Sequence, residues 1–411
     1  MGAAVAFVSP LLAQDSADRA MSSLAQTPAV KAALSAARAN EPQTIENQIR
    51  LSEIPAPSFN EAARREEMKR LFEQFGLQRV RVDKAGNVLG ERPGAASRPH
   101  VVIAAHLDTV FPEGTNVKVR REGAVLHGPG VGDDSRGLAV LLAIVRALNQ
   151  ANVHTPGSMT FVADVGEEGL GDLRGVKALF DETLKGTVDR FVTIDGAGMT
   201  VAHNFVGSRR YRVTFKGPGG HSFGAFGTPN PIDALGRAVA KIAEFQVPAE
   251  PKTTFNIGRI GGGTSVNSIP AGAWMEVDLR SVDGAALASL DARLHNALDA
   301  ALAEENARWR APGMLTMTKE RVGDRPVVAS RADSLVVQAA LAATRVVGAA
   351  PVVNVSSSDA NYPASLRIPS VEIGGGGRGT DAHAPSESFD TTDSWRGTER
   401  AVLLTIALAQ R

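Results

Sequence analysis

The sequence predicts an α/β domain whose sheet is covered on its faces, interrupted midway by a smaller α+β domain. Three observations carry this. The chain's 411 residues exceed what one core usually accommodates. Short, continuous apolar runs alternate with helical stretches in its first and last parts, as in a sheet with covered faces. Between them, from about Ser208 to Arg321, strand-like and helical runs follow in β-α-β-β-α order. The expected division is 1–207, 208–321 and 322–411, with the outer two segments forming one domain.

The elements follow in order. Ala3 to Ala13 reads AAVAFVSPLLA, which suits the core of a signal peptide and is too short to span a bilayer. It lacks a basic n-region, and a docked N-terminal segment is the alternative; export to the periplasm or outside is the expectation. Residues 28 to 75 read as helical, ending at Gly76 after EAARREEMKRLFEQF. HVVIAA (His100 to Ala105) reads as a strand buried on both faces, and Ser135 to Gln150 as an apolar helix. SMTFVADV, RFVTI and PSVEI read as further strands. In the insert, RRYRVTFKG and AWMEVDLRS flank or follow two helical stretches that begin at Pro231 and Gly284.

Composition narrows the function classes. Lys+Arg and Asp+Glu both count 44, so neither a nucleic-acid stripe nor a polybasic membrane patch is expected. No stretch is apolar and long enough to cross a membrane. The absence of cysteine rules out disulfides, thiolate metal sites and a cysteine nucleophile.

Acidic residues and histidines gather at the ends of predicted strands, where ligands bind in open α/β sheets. AAHLDTV places His106 and Asp108 two apart just past a strand, so both side chains can point one way. GPGVGDDSRG supplies Asp133 and Asp134 on a glycine-rich turn opening a helix; alone, this pair reads as helix capping. VADVGEEGLG supplies Glu167 and Glu168, which alone read as solvated acids. TIDGAG supplies Asp195 and GTDAHAPSE supplies His383. Taken together, imidazoles and carboxylates without thiolates suit a catalytic metal site, and cations would relieve the repulsion among so many carboxylates.

HLDTV, GPGVGDDSRG, the EE pair and HAPSE resemble the M20-type di-zinc metallopeptidase family. APSFNEA, AGNVLG, GGHS, SVNSIP and VDLRS extend the resemblance over nearly the whole chain, in order. It implies a mixed-sheet zinc-peptidase catalytic domain with a ferredoxin-like insert serving as lid and dimerisation domain, hence a homodimer. It implies two zinc ions, replaceable by cobalt or manganese. Residue by residue, it implies that Asp133 bridges both ions, that His106 and Asp195 complete one site, and that Glu168 and His383 complete the other. Asp108 would hydrogen-bond the second nitrogen of His106, and Glu167 would be the general base. His221 would support the oxyanion, often across a dimer, and Asn267 and Arg280 would bind the substrate; for Arg280 an ordinary ion pair is the alternative. Asp134 would cap or support. Asp359 and Asn361 resemble a substrate-side loop.

The expected activity is cleavage of an amide bond in a short peptide or an N-acyl amino acid. Desuccinylase and carboxypeptidase G2-like members carry glutamate at the position of Asp195, whereas peptidase T-like aminopeptidases carry aspartate, which tilts the expectation towards a tripeptidase-like aminopeptidase. FGAFGTPNP after His221 is longer than the family pattern. Removal of an N-acyl group or a C-terminal residue is the rival. From other classes, a non-catalytic metal- or peptide-binding protein and a serine hydrolase using Ser222 in GHSFG are weaker readings.

Overall fold

The computed structural model describes residues 10–309 and 314–410. The chain divides into two compact units, one comprising Met1–Phe205 with Ala329–Arg411 and the other Val206–Val328. Up to residue 9, the apolar run at 3–13 lies outside the described residues; from Pro10 the chain is helical to Gln26.

The helical stretch expected over 28–75 is three helices, Pro28–Ala39, Glu41–Ser52 and Ala62–Gln74. Pro55 and Pro57 lie in the gap before the third, where each removes a backbone donor that a continuous helix would need. The third helix ends as its sequence predicts. Gly76 has φ 80°, its N–H reaches the carbonyl of Glu73, and Leu77 N–H reaches that of Phe72, a Schellman closure that needs the left-handed residue.

Among the described residues the first unit is built on a nine-stranded mixed sheet. At its centre His100–His106 runs parallel to Ser158–Asp164 on one side and to Arg190–Ile194 on the other, and Ser370–Ile373 continues in parallel beyond. The side chains of these strands are almost wholly buried, as continuous apolar runs require. Gln78–Val82 and Val88–Arg92 add an antiparallel hairpin at one edge; Thr200–Phe205 and Val352–Ser356 extend the other. The Ser135–Gln150 helix is buried along most of its length and packs on the central strand and on the helices Pro28–Ala39 and Glu41–Ser52.

The second unit has the order β-α-β-β-α-β: strand Gly207–Lys216, helix Pro231–Ala243, strands Thr253–Gly262 and Gly272–Ser281, helix Gly284–Arg308 and strand Thr316–Arg325. The last strand went unread in the sequence because its side chains alternate between exposed and half-buried, with little apolar signal. In space the order is 253–262, 272–281, 207–216, 316–325, all antiparallel, which is a ferredoxin-like arrangement. Tyr211, Val213, Phe215, Met275, Val277 and Leu279 form its core with both helices.

Candidate metal centre

His106 is the last residue of the central strand, and Leu107 N–H bonds to the carbonyl of Asp164 on the neighbouring strand, which carries the chain onward along the sheet's carboxyl edge. The second nitrogen of His106, Nδ1, lies 3.0 Å from the backbone carbonyl of Asp108 and 3.6 Å from its carboxylate. The expected carboxylate–imidazole bond is therefore made chiefly by the main chain. The Asp108 carboxylate is drawn elsewhere: it accepts the N–H groups of Glu167 and Glu168, each at 3.0 Å, and the Ser58 hydroxyl at 2.5 Å. Asp108 thus fixes the acidic pair as well as the imidazole.

The glycine-rich turn divides its two aspartates between two tasks. Asp134 is buried and accepts N–H bonds from Gly137, His106 and Gly196, capping the following helix and tying it to two strand ends. Asp133 faces the cluster. Glu387 holds the turn itself, its carboxylate accepting the N–H groups of Gly130, Gly132 and Asp133 at 2.8, 2.8 and 3.1 Å.

Asp133 meets both histidines: Oδ1 is 3.0 Å from His106 Nε2 and Oδ2 is 3.1 Å from His383 Nε2. Asp195 Oδ1 lies 4.0 Å from His106 Nε2, and Glu168 Oε1 lies 3.1 Å from His383 Nε2. Two triads result, His106–Asp133–Asp195 and Asp133–Glu168–His383, each with potential ligand atoms within 4.8 Å of one another. They share Asp133. A third grouping, His106–Glu167–Glu168, brings Glu167 to the same place.

The electrostatics fit cations. Burial, followed by the charge of Asp133, pushes Asp195 well above the usual carboxylate range, and the same causes raise Glu168 to about 7. Burial opposes charge on His106, but Asp108 and Asp133 outweigh it and lift the imidazole well above its ordinary value. Hydrogen bonds to Asp133 and Glu168 raise His383 to about 10. Without metal, the cluster holds protons where two divalent cations would balance the same charge. Two imidazoles and three carboxylates, one of them shared, suit such a pair.

Of the remaining expected residues, Asp359 and Asn361 are buried in the first unit. Asn361 accepts the N–H of Ser358, which makes this a supporting turn. His221, Asn267 and Arg280 belong to the second unit. A two-residue ribbon pairs Gly220 with Ile269 and His221 with Ser268, and Ser222 N–H bonds to the carbonyl of Asn267, so His221 and Asn267 share one tip. His221 Nδ1 accepts the N–H groups of Phe223 and Gly224, which leaves the proton of the neutral ring on Nε2. Arg280 is in a different position. It pairs with Asp278 and lies eight residues along the strand from Gly272, about 27 Å at the usual antiparallel rise. After Ser222 the chain makes turns, and the next helix starts only at Pro231, so the strand-to-helix elbow of a serine hydrolase is not formed there.

Sequence reasoning missed three supporting residues. Ser58 and Glu387 sat inside quoted motifs but carry no ligand signature. Arg64, fully buried in an apparently solvated helix, donates to the carbonyls of Ile54 and Leu107 and braces the strand end.

Known proteins resemble this chain in sequence and in fold. A succinyl-diaminopimelate desuccinylase from Nitrosospira multiformis is 27% identical over 342 residues, covering 78% of this chain and 85% of that one. A tripeptidase from Staphylococcus aureus has a similar fold, with a TM-score of 0.72 at 22% identity over 90% of this chain and 99% of that one. A dinuclear metal-binding peptidase from Bacillus subtilis matches with a TM-score of 0.64 at 18% identity, covering 90% and 98%. The sequence profile of Peptidase family M20/M25/M40 matches residues 102–406, a span that includes every residue of the two triads, and the chain belongs to that family of hydrolytic enzymes.

Proposed function

We propose that this metallopeptidase is a di-zinc exopeptidase that cleaves short peptides from a free amino end, as a tripeptidase-like aminopeptidase. The observation that carries the reading is the pair of ligand triads joined through Asp133 with Glu167 beside them. His106 and Asp195 would hold one ion, Glu168 and His383 the other, and Asp133 both. Cobalt or manganese would substitute. When bound, the ions supply Lewis acidity, polarising the amide carbonyl and lowering the pKa of a water. Glu167, its backbone fixed by Asp108, takes the proton of that water and delivers it to the leaving nitrogen. His221 offers its Nε2–H to the oxyanion, and Asn267 and Arg280 bind the substrate.

The second unit would act as lid and dimerisation domain. Thr253–Gly262 is an edge strand of its sheet, with Ile260 exposed, and a two-fold partner would cover it. Within one unit Arg280 lies about 27 Å along its strand from Gly272, the end from which the His221 ribbon departs, farther than an extended tripeptide's span of about 10 Å. Two copies serving one substrate resolve this. Light scattering showing only monomer with activity intact would count against the dimer and against His221 acting in trans.

Aspartate at 195 and the tripeptidase-like fold support the aminopeptidase reading; the desuccinylase relative supports removal of an N-acyl group as the second. Kinetics on matched free, N-acetylated and C-amidated di- and tripeptides decide. A free amine recognised by a charge-assisted hydrogen bond gives about ten- to a hundredfold higher kcat/KM than its acetylated form. Preference for the acetylated series would install the N-acyl hydrolase instead. Chelation should abolish either activity and zinc or cobalt restore it; full turnover by a demonstrably metal-free preparation would exclude both.

A further inference from the structure

We propose that Phe59, with Val110 and Leu170, forms an apolar wall at the rim of the metal centre that selects substrates with a bulky apolar side chain beside the scissile amide. This rests on reading the site as an amide hydrolase.

Phe59 is held where its aromatic ring buries little of itself. Its side chain is 64% exposed, yet its backbone has φ 74°, a left-handed conformation that L residues other than Asn and Asp rarely adopt. The surroundings enforce this. Phe59 N–H bonds to Glu61 at 2.9 Å, and Asn60 N–H closes back onto the carbonyl of Pro57 at 2.8 Å. Glu61 is buried and ion-paired with Arg174, whose guanidinium lies 5.2 Å from the centre of the Phe59 ring. The ring is thus braced by a cation while much of it remains open to solvent.

Its position links it to the chemistry. The preceding residue, Ser58, donates to the Asp108 carboxylate and reaches the carbonyl of Glu168 at 3.3 Å. Pro57 bridges to Thr109, and Thr109 N–H bonds to Ala56, which sets Val110 alongside. Leu170 follows Glu168 by two residues. Val110 and Leu170 are 38% and 40% exposed. A single exposed apolar residue needs no explanation. Here three of them stand on three segments that meet at Asp108, and one is kept there against its backbone preference.

The experiment compares kcat/KM for paired peptides and N-acyl amino acids that differ only in carrying Phe or Leu, against Gly, next to the scissile bond. Phe59→Ala should lower kcat/KM for the bulky members about ten- to a hundredfold and leave the glycine members within about twofold. Phe59→Leu should keep most of the preference. Phe59→Gly should lose it while Tm rises, because glycine relieves the left-handed backbone; a merely structural Phe59 would lower Tm instead. Equal losses across both series, or an unchanged preference in Phe59→Ala, would overturn the wall while leaving the hydrolase intact. A wild-type enzyme inactive on every amide would overturn the site reading and this proposal with it.

Discussion

His106 is buried to 1% exposure with its ring nitrogens facing three carboxylates, whereas His221 stands exposed at a ribbon tip, its ring held by N–H groups of its own turn. The first histidine is finished by its own unit: strand end, capped helix and the Glu387-bound loop converge on it. The second is oriented but not enclosed. Its Nε2–H has a direction and, within its unit, open surroundings. The difference teaches that the candidate metal cluster is complete within its own unit, whereas His221, the proposed oxyanion donor, is oriented by its unit without being enclosed by it.

Mutations on the two sides should therefore fail differently. Glu167→Gln keeps the backbone bond to Asp108 and should retain both metals while losing about a hundredfold to ten-thousandfold in kcat; near-normal turnover would assign the proton transfer elsewhere. His221→Ala should cost about a hundred- to a thousandfold in kcat with unchanged metal content by elemental analysis. Metal loss in that variant would break the comparison. Glu387→Gln touches no candidate ligand atom but loosens the loop carrying Asp133, and it should weaken metal affinity about ten- to a hundredfold. Activity at saturating zinc should then recover, which a direct catalytic role would not allow.

The smallest effect sharpens the electrostatic side. In the metal-free protein His383 is raised to about 10 and Glu168 to about 7, so at neutral pH His383 carries a proton and Glu168 holds one about half the time, and metal must displace both. Zinc binding should release protons, and apparent affinity should climb with pH until it levels near pH 10. Calorimetry in buffers of different ionisation enthalpy measures this; binding without proton release would contradict the hydrogen-bond pattern around Asp133.

Much of this architecture was legible because strand ends and ligands coincide. His106, Asp133, Glu168, Asp195 and His383 each carry a titrating side chain at a punctuated position, and their residue types suggested metal before their geometry was known. Glu387 was not legible as a support because its work is done on backbone N–H groups, which leave no trace in a sequence. Arg64 was hidden for the opposite reason: a charged residue in a charged helix gives no sign of being buried. The strands at 78–82, 352–356 and 316–325 carry exposed or half-exposed side chains that blur the apolar run betraying a central strand, whereas Thr200–Phe205, mostly buried, is interrupted by the polar residues His203 and Asn204. The Asp108 contact shows a finer limit. Spacing put the residue beside His106, but only coordinates distinguish its carbonyl from its carboxylate.

Glu387 also fixes when the metal pocket can come into being. The turn it holds lies 257 residues earlier, at Gly130, and His383 arrives just before it. During synthesis the whole of the second unit emerges before either residue does. A truncated chain ending anywhere in the second unit would hold His106, Asp133, Glu168 and Asp195 yet lack both the last ligand and the clasp on the loop. Loop closure over so long a separation is entropically slow. If the cluster holds two cations as proposed, tight binding of the second would be a late event of folding, and its appearance would serve as a clock for completion of the first unit.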